Sequence, residues 1–261
     1  MTILLDGPPA LVALMTAALT PLALRVVGVR RLALAAAPAG VLAAATSWMT
    51  PGVWPTVLVA PYAIVCALAG LVGARRVVAK PWPPSELARH AGLIVLAGAT
   101  VWLVAYRADC ALLDYPPLWV LLTAAHFHVA GCYLAIVIGT CAKNAFAQAV
   151  AVGCVLGLPM TAIGILVTGP IETVAAMVMA SSAFGASIVL LTTTRGLLRT
   201  SGIPLAVGMI LAMLYALRGF GTAITIGTLD PLSSMIVSHA MLDTLFAVLA
   251  LIALNRSPVR S

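Results

Sequence analysis

Long apolar stretches alternate with short polar breaks along the whole sequence, and this pattern predicts a bundle of membrane-spanning helices. A helix needs about 20 mostly apolar residues to cross the hydrocarbon core of a bilayer. Such segments lie at residues 9–28, 32–50, 53–74, 88–106, 117–140, 145–168, 171–194, 203–222 and 231–254. We therefore predict an all-α, polytopic transmembrane bundle of about nine spans, which forms a single domain over residues 1–261. The second segment is short and the eighth contains Arg218, so eight spans also fit the pattern.

The breaks between the segments are too short to hold a separate soluble domain. The longest break, residues 75–89, contains the proline-rich run Lys80 to Pro84 and predicts a rigid loop at the membrane surface. Residues 1–9 contain Asp6 and no basic residue ahead of the first apolar segment. A cleaved signal peptide normally begins with a basic region, so we expect the first helix to be retained.

The amino-acid composition agrees with a membrane bundle. Hydrophobic residues make up 63% of the chain and charged residues 8%, and the mean hydropathy is +1.15. Soluble domains carry roughly a quarter charged residues, so a soluble fold would have too few charges to cover its surface. The five cysteines show no CxxC spacing. We interpret them as small buried apolar residues rather than disulfides or metal ligands.

The net charge of +7 comes from basic residues in the short breaks, which argues against a nucleic-acid partner. If the first break faces the cytoplasm, all but two of the 14 basic residues lie on the cytoplasmic side. The exceptions are Arg107 and Arg218. The positive-inside rule therefore predicts an outer amino terminus and a cytoplasmic carboxyl terminus.

Two clusters of ionisable residues lie inside predicted spans. Inserting such a group at the centre of a membrane helix costs about 3 kcal/mol, so each one is a functional candidate by default. His126 and His128 are in the fifth segment, and His239 and Asp243 are in the ninth. Residues two apart on a helix differ by about 200°, so the first pair faces different neighbours unless the helix is distorted, for instance at Gly131.

His239 and Asp243 are one helical turn apart and therefore share a face. The fifth and ninth segments enter the membrane from the same side, which places the two clusters at similar depth. Glu172 and Arg218 lie nearer the outer surface. Structural interpretations stay open for all of these groups: a histidine that only hydrogen-bonds between helices, a structural His–Asp pair, and salt bridges at the interface.

Around these residues the chain resembles a known family. The run Leu121 to Gly131, with Tyr115 to Pro117 before it, resembles the signature of the YndJ-like family of bacterial multi-spanning membrane proteins. The stretch Pro21 to Arg25 and the closing helix with His239 resemble the same family, so the resemblance covers most of the chain. It implies the multi-spanning architecture and a place in the inner membrane of a bacterial cell, and transport is the activity often assigned to the family.

One position departs from the family pattern. Family members usually have a glycine directly after the last-helix histidine and an asparagine four residues after it. This sequence has Ala240 and Asp243 at those positions. An acid in place of an amide adds a transferable proton, and this difference favours a catalytic function.

Our leading hypothesis is a membrane-embedded enzyme that acts on a lipophilic, isoprenoid-like substrate by proton transfer. It would be similar in kind to the integral-membrane terpene cyclases of bacterial meroterpenoid pathways. The expected catalytic residues are Asp243 as proton donor, His239 as the residue that tunes it, and His126, His128 or Glu172 as the final acceptor. The expected substrate-binding residues are Phe127, Trp119, Tyr215 and Arg218, the aromatic rings serving to stabilise cations.

Other function classes remain open at this point. The same residues fit a small-molecule or proton-coupled transporter, or a structural membrane protein. His-Phe-His is also similar to the haem-ligating helix of haem–copper oxidases, which keeps a haem or metal-binding protein as a further alternative. We expect no cofactor and no metal. DDxxD and DxDD motifs are missing from the sequence, and no two acids are adjacent to hold magnesium diphosphate.

Overall fold

The computed structural model describes residues 10–79, 81–167, 169–217 and 231–256, and this part of the chain consists of helices joined by turns. The helices are α1 (Ala10–Val26), α2 (Arg30–Ala45), α3 (Val53–Ala79), α4 (Pro84–Arg107), α5 (Pro117–Cys141), α6 (Ala145–Val167), α7 (Pro170–Thr193), α8 (Gly196–Ala216) and α9 (Pro231–Arg256). Each predicted apolar segment contains one of these helices. The all-α prediction is therefore confirmed.

Seven of the described helices, α3 to α9, are long and apolar enough to cross a membrane. The first two predicted spans correspond to shorter helices. The second of these, α2, has 16 residues and continues into a 3₁₀ turn at Thr46–Trp48. These properties confirm a helical membrane bundle.

The ends of the helices follow local sequence signals. The side chain of Asn144 accepts a hydrogen bond from the Ala147 N–H at 2.8 Å and so caps the start of α6, as its position predicts. Pro84 is at the first position of α4, where its missing N–H is not needed. The predicted loop over residues 75–89 is wrong in extent, because α3 continues to Ala79 and α4 begins at Pro84. Helix-compatible side chains on both sides of the prolines extend the two helices.

Helix α5 is at the centre of the bundle. In its apolar window 72% of the residues are buried, against at most 50% in the other candidate spans. It packs against α4, α6, α7 and α9, and α9 also packs against α1, which brings the first and last helices together. Side chains on α5 therefore face other helices on nearly every side.

Two helices contain π-helical turns, at Met15–Leu19 in α1 and at Phe127–Tyr133 in α5. They meet where the Tyr133 hydroxyl donates a hydrogen bond to the Met15 carbonyl at 3.0 Å. A side chain at Gly131 would clash with Val95 of α4, so the glycine allows α4 to approach the widened part of α5. Single π turns are frequent at functional sites, and the π turn of α5 begins directly after His126.

Candidate functional site

Three ionisable side chains from α5 and α9 meet inside the bundle, and we call them the His–Asp centre: His126, His239 and Asp243. The His239 Nε2 atom lies 3.3 Å from the Asp243 Oδ2 atom. This is the contact that the i, i+4 spacing predicts. The His126 ring lies across from His239, with 6.3 Å between the ring centroids.

Only one of the two Asp243 carboxylate oxygens has a polar neighbour among the described residues. Among the described residues neither Asp243 Oδ1 nor His239 Nδ1 has a hydrogen-bond partner, and both atoms are buried. Both also lie beside Gly208 of α8, where an added Cβ would be 2.9 Å from Asp243 Oδ1 and 3.7 Å from His239 Nδ1. The missing side chain at 208 thus makes room for the pair. A carboxylate with one oxygen near an imidazole and the other unpaired can hold or release a proton.

The two members of the pair differ in accessibility. The Asp243 side chain is 8% exposed and the His239 side chain 18%. A molecule that approaches the centre therefore reaches the imidazole more easily than the acid. An ionisable pair in this position is expensive in an apolar bundle, which makes the centre a stronger functional candidate than any charged group at a helix end.

His128 faces the opposite side of α5 and belongs to a separate set of buried groups, the hydroxyl chain: Thr20, Tyr62, His128 and Tyr133. His128 Nδ1 lies 2.7 Å from the Ala124 carbonyl, which can only accept. In the neutral imidazole, Nε2 must then be the acceptor, and the Tyr62 hydroxyl donates to it at 2.9 Å. This contact fixes the tautomer of His128.

The hydroxyl chain continues from Tyr62 to α1 and back to α5. The Thr20 hydroxyl lies 2.7 Å from the Tyr62 hydroxyl and 2.8 Å from the Tyr133 hydroxyl. The carbonyls of Ala124 and Met15 accept hydrogen bonds at the two ends of the hydroxyl chain. Since Tyr62 donates to His128 and Tyr133 donates to Met15, the single Thr20 proton is donated to one of the two tyrosine oxygens at a time. Since these bonds tie α1, α3 and α5 together, His128 fits the structural interpretation of an interhelical hydrogen bond.

The hydroxyl chain should contribute to stability through its long-range contacts. Replacing Thr20 by valine removes the hydroxyl that links the two tyrosines, so we expect a loss of about 1–3 kcal/mol in the free energy of unfolding. Unfolding by a denaturing detergent in mixed micelles measures this change. Thr140→Val is the control, because the Thr140 hydroxyl bonds only to the Ile136 carbonyl of its own helix. Equal losses in the two variants would contradict the structural role of the chain.

Three other predicted site residues, Phe127, Trp119 and Glu172, have other surroundings. Phe127 packs against Trp102 of α4, with 6.3 Å between the rings. It lines an apolar groove of about 350 Å³ between α4, α5 and α6. Trp119 is 41% exposed, two turns before His126. Glu172 is exposed in the first turn of α7.

Tyr215 and Arg218 were predicted beside the substrate. Tyr215 is half-buried near the end of α8, two turns beyond Gly208. Arg218 lies outside the described residues. In the described part of the chain, no three His, Cys, Asp or Glu side chains are arranged to hold a metal ion. Among the described residues, the contacts reported for the centre are those of the two histidines and the acid.

Sequence reasoning missed Thr20, Tyr62 and Gly208. A hydroxyl inside an apolar span commonly bonds to its own helix, as Thr140 does, so Thr20 and Tyr62 gave no distinct signal. Gly208 is one of 21 glycines. Its role depends on which residues of α9 face α8, and the sequence of α8 does not contain that information.

Comparison with known proteins supports the family resemblance. The profile of the family described as YndJ-like protein matches residues 10–246. The matched range includes all three residues of the His–Asp centre. No curated protein matches the chain, and no solved structure matches it.

Proposed function

The chain belongs to the YndJ-like family, and we propose that it is a membrane-embedded enzyme that transfers a proton to a lipophilic substrate. The observation that carries this proposal is the buried Asp243 carboxyl group. One of its oxygens lies 3.3 Å from His239, and the other has no partner among the described residues. A general acid keeps one carboxyl oxygen without a protein partner. Because this oxygen is buried beside Gly208 of α8, the proposal requires α8 to move away from it when the substrate binds.

Each residue of the centre has a distinct role in the proposal. The Asp243 O–H bond breaks, and its proton forms a C–H bond at one carbon of a substrate alkene, which leaves a carbocation. After rearrangement, a C–H bond of the product cation breaks and His126 takes that proton. His239 neighbours both groups and returns the proton to Asp243. The net reaction is an isomerisation, with no change in the number of atoms or electrons.

The substrate class follows from the surroundings of the centre. Helices α5, α8 and α9 are predominantly apolar, so the bound molecule should be predominantly apolar too. We propose an isoprenoid chain and, as the specific reaction, acid-initiated cyclisation in meroterpenoid synthesis. Ionisation of a diphosphate is disfavoured, because no two acidic residues are adjacent in the sequence.

We also propose a topology for the bundle. In it α1 and α2 cross the membrane together with the seven longer helices, which gives nine spans. The amino terminus is outside and the carboxyl terminus is in the cytoplasm of a bacterial cell. Support comes from the basic residues, all but two of which then lie on the cytoplasmic side.

Isotope labelling tests the enzymatic proposal directly. The purified protein in lipid nanodiscs is incubated with a panel of prenylated phenols in D₂O, and the products are analysed by mass spectrometry. We expect a cyclised product of unchanged formula that carries solvent deuterium at the protonated carbon. A product without deuterium would contradict protonation by the enzyme.

The proton-coupled carrier makes a different prediction. The protein is reconstituted in liposomes loaded with a pH-sensitive dye, and the same compounds are added outside. Movement of protons that depends on a compound, without chemical conversion, would assign the centre to transport. An enzyme with a single enclosed centre should leave the internal pH unchanged.

A further inference from the structure

The backbone hydrogen bonds of the turn between α1 and α2 do not involve the carbonyl groups of Val26 and Val27. The Gly28 N–H donates to the Arg25 carbonyl and the Val29 N–H donates to the Leu24 carbonyl, both at 3.0 Å. With its φ of +80°, Gly28 completes a Schellman motif. The carbonyls of the two residues before Gly28 take part in neither bond.

Two arginines from other helices fill this gap. Arg89 of α4 donates to the Val26 carbonyl at 3.1 Å, and Arg76 of α3 donates to the Val27 carbonyl at 3.3 Å. Arg89 also forms a salt bridge of 2.6 Å with Glu86. The end of α1, the start of α2, the end of α3 and the start of α4 thus lie close together. The guanidinium groups of Arg76 and Arg89 are already hydrogen-bonded within the protein.

Four further arginines surround the same turn, and we call them the arginine surface: Arg25, Arg30, Arg31 and Arg75. All four are exposed. In the described residues none of them forms a salt bridge, and the nearby acid Glu86 already pairs with Arg89. The fold therefore concentrates positive charge around the α1–α2 turn without an internal counter-charge.

We propose that the arginine surface binds the phosphate of an anionic phospholipid. Guanidinium groups bind phosphate through paired hydrogen bonds, and basic clusters beside membrane helices attract anionic headgroups. A lipid fits better than a free anion because exposed apolar side chains lie one turn deeper. Leu34 follows Arg30 by one turn and is 66% exposed, and Leu71 precedes Arg75 by one turn and is 56% exposed. The phosphate contacts the arginines, and the acyl chains contact the leucines.

A second basic pair at the same end of the bundle supplies a matched control. Arg195 and Arg199 are exposed at the turn between α7 and α8. Because each short turn reverses the chain, this turn lies at the same end as the α1–α2 turn. The double variants Arg30→Gln/Arg31→Gln and Arg195→Gln/Arg199→Gln remove equal charge, but only the first changes the arginine surface.

Lipid competition tests the site. Each variant is purified from nanodiscs of equimolar phosphatidylglycerol and phosphatidylcholine, and the lipids that stay bound are measured by native mass spectrometry. For Arg30→Gln/Arg31→Gln we expect the preference for phosphatidylglycerol to fall by roughly tenfold to thirtyfold, because two exposed guanidinium–phosphate pairs are lost. The control pair should retain the preference of the unmodified protein.

Three results would overturn the proposal. The first is an equal loss in the control pair, which would show a general effect of basic charge. The second is full retention of phosphatidylglycerol by Arg30→Gln/Arg31→Gln with Arg75→Gln added. The third is displacement of the lipid by millimolar inorganic phosphate, which would assign the surface to a soluble anion. Thermal unfolding of every variant confirms that lost binding is not lost folding.

Discussion

Replacing Asp243 by asparagine is expected to lower the rate of product formation by roughly 10²- to 10⁴-fold, the usual contribution of a general acid. Asparagine has nearly the same size as aspartate and can still hydrogen-bond to His239, which lies 3.3 Å from the native carboxylate. It has no proton to donate to an alkene. The bundle should therefore fold normally while the first chemical step fails. Product formation under single-turnover conditions, measured by mass spectrometry, reports this step without interference from product release.

The control for this variant is another acid that the bundle does not enclose. Asp114 is exposed in the connection between α4 and α5, and Asp114→Asn should leave the rate unchanged. Full activity of Asp243→Asn would exclude Asp243 as the acid. If in addition His239→Gln abolished activity, the imidazole would be the donor and the carboxylate only its positioning partner.

The helices were predictable because apolar length is a local property of the sequence. All nine predicted segments contain helices, and the shared face of His239 and Asp243 follows from spacing alone. The error at residues 75–89 also has a local cause. Arginines and prolines suggest a loop by composition, yet long basic side chains can extend from a helix end into water while the backbone stays helical.

The packing of the helices was much less predictable. A span that is apolar all around, such as α5, carries little periodic signal for which face is buried. Thr20 and Tyr133 are separated by 113 residues, so no sequence pattern joins them. The π turn adds to the difficulty, because it changes which residues of α5 face a given neighbour. Phe127 consequently lies toward α4 and α6 rather than toward Asp243.

A close approach between α1 and α2 at Gly40 leads to a prediction with a large expected effect on folding. Gly40 of α2 packs on the backbone of α1, where an added Cβ would clash with the Thr16 carbonyl. A backbone atom cannot rotate away, so Gly40→Ala must push the two helices apart. We expect a loss of about 1–3 kcal/mol or more in the free energy of unfolding. Elsewhere in a helix the same substitution is favourable by up to about 1 kcal/mol.

Gly98→Ala is the matched control for this effect. An added Cβ at Gly98 would be 3.8 Å from the Phe127 ring, an ordinary contact. Thermal unfolding in the same detergent should show a lower midpoint for Gly40→Ala and an unchanged or higher midpoint for Gly98→Ala. Similar midpoints in the two variants would mean that α1 and α2 do not approach this closely.

A double variant links this packing to the hydroxyl chain. Thr20 is one turn beyond Thr16 on α1, so moving α1 away from α2 should also disturb the bonds from Thr20 to Tyr62 and Tyr133. The losses in Gly40→Ala and Thr20→Val should therefore not add, because each removes part of the same interaction. A double variant of Gly40→Ala and Thr20→Val with a loss smaller than the sum would show that this glycine holds α1 in position for the hydroxyl chain. A simple sum would separate the two features.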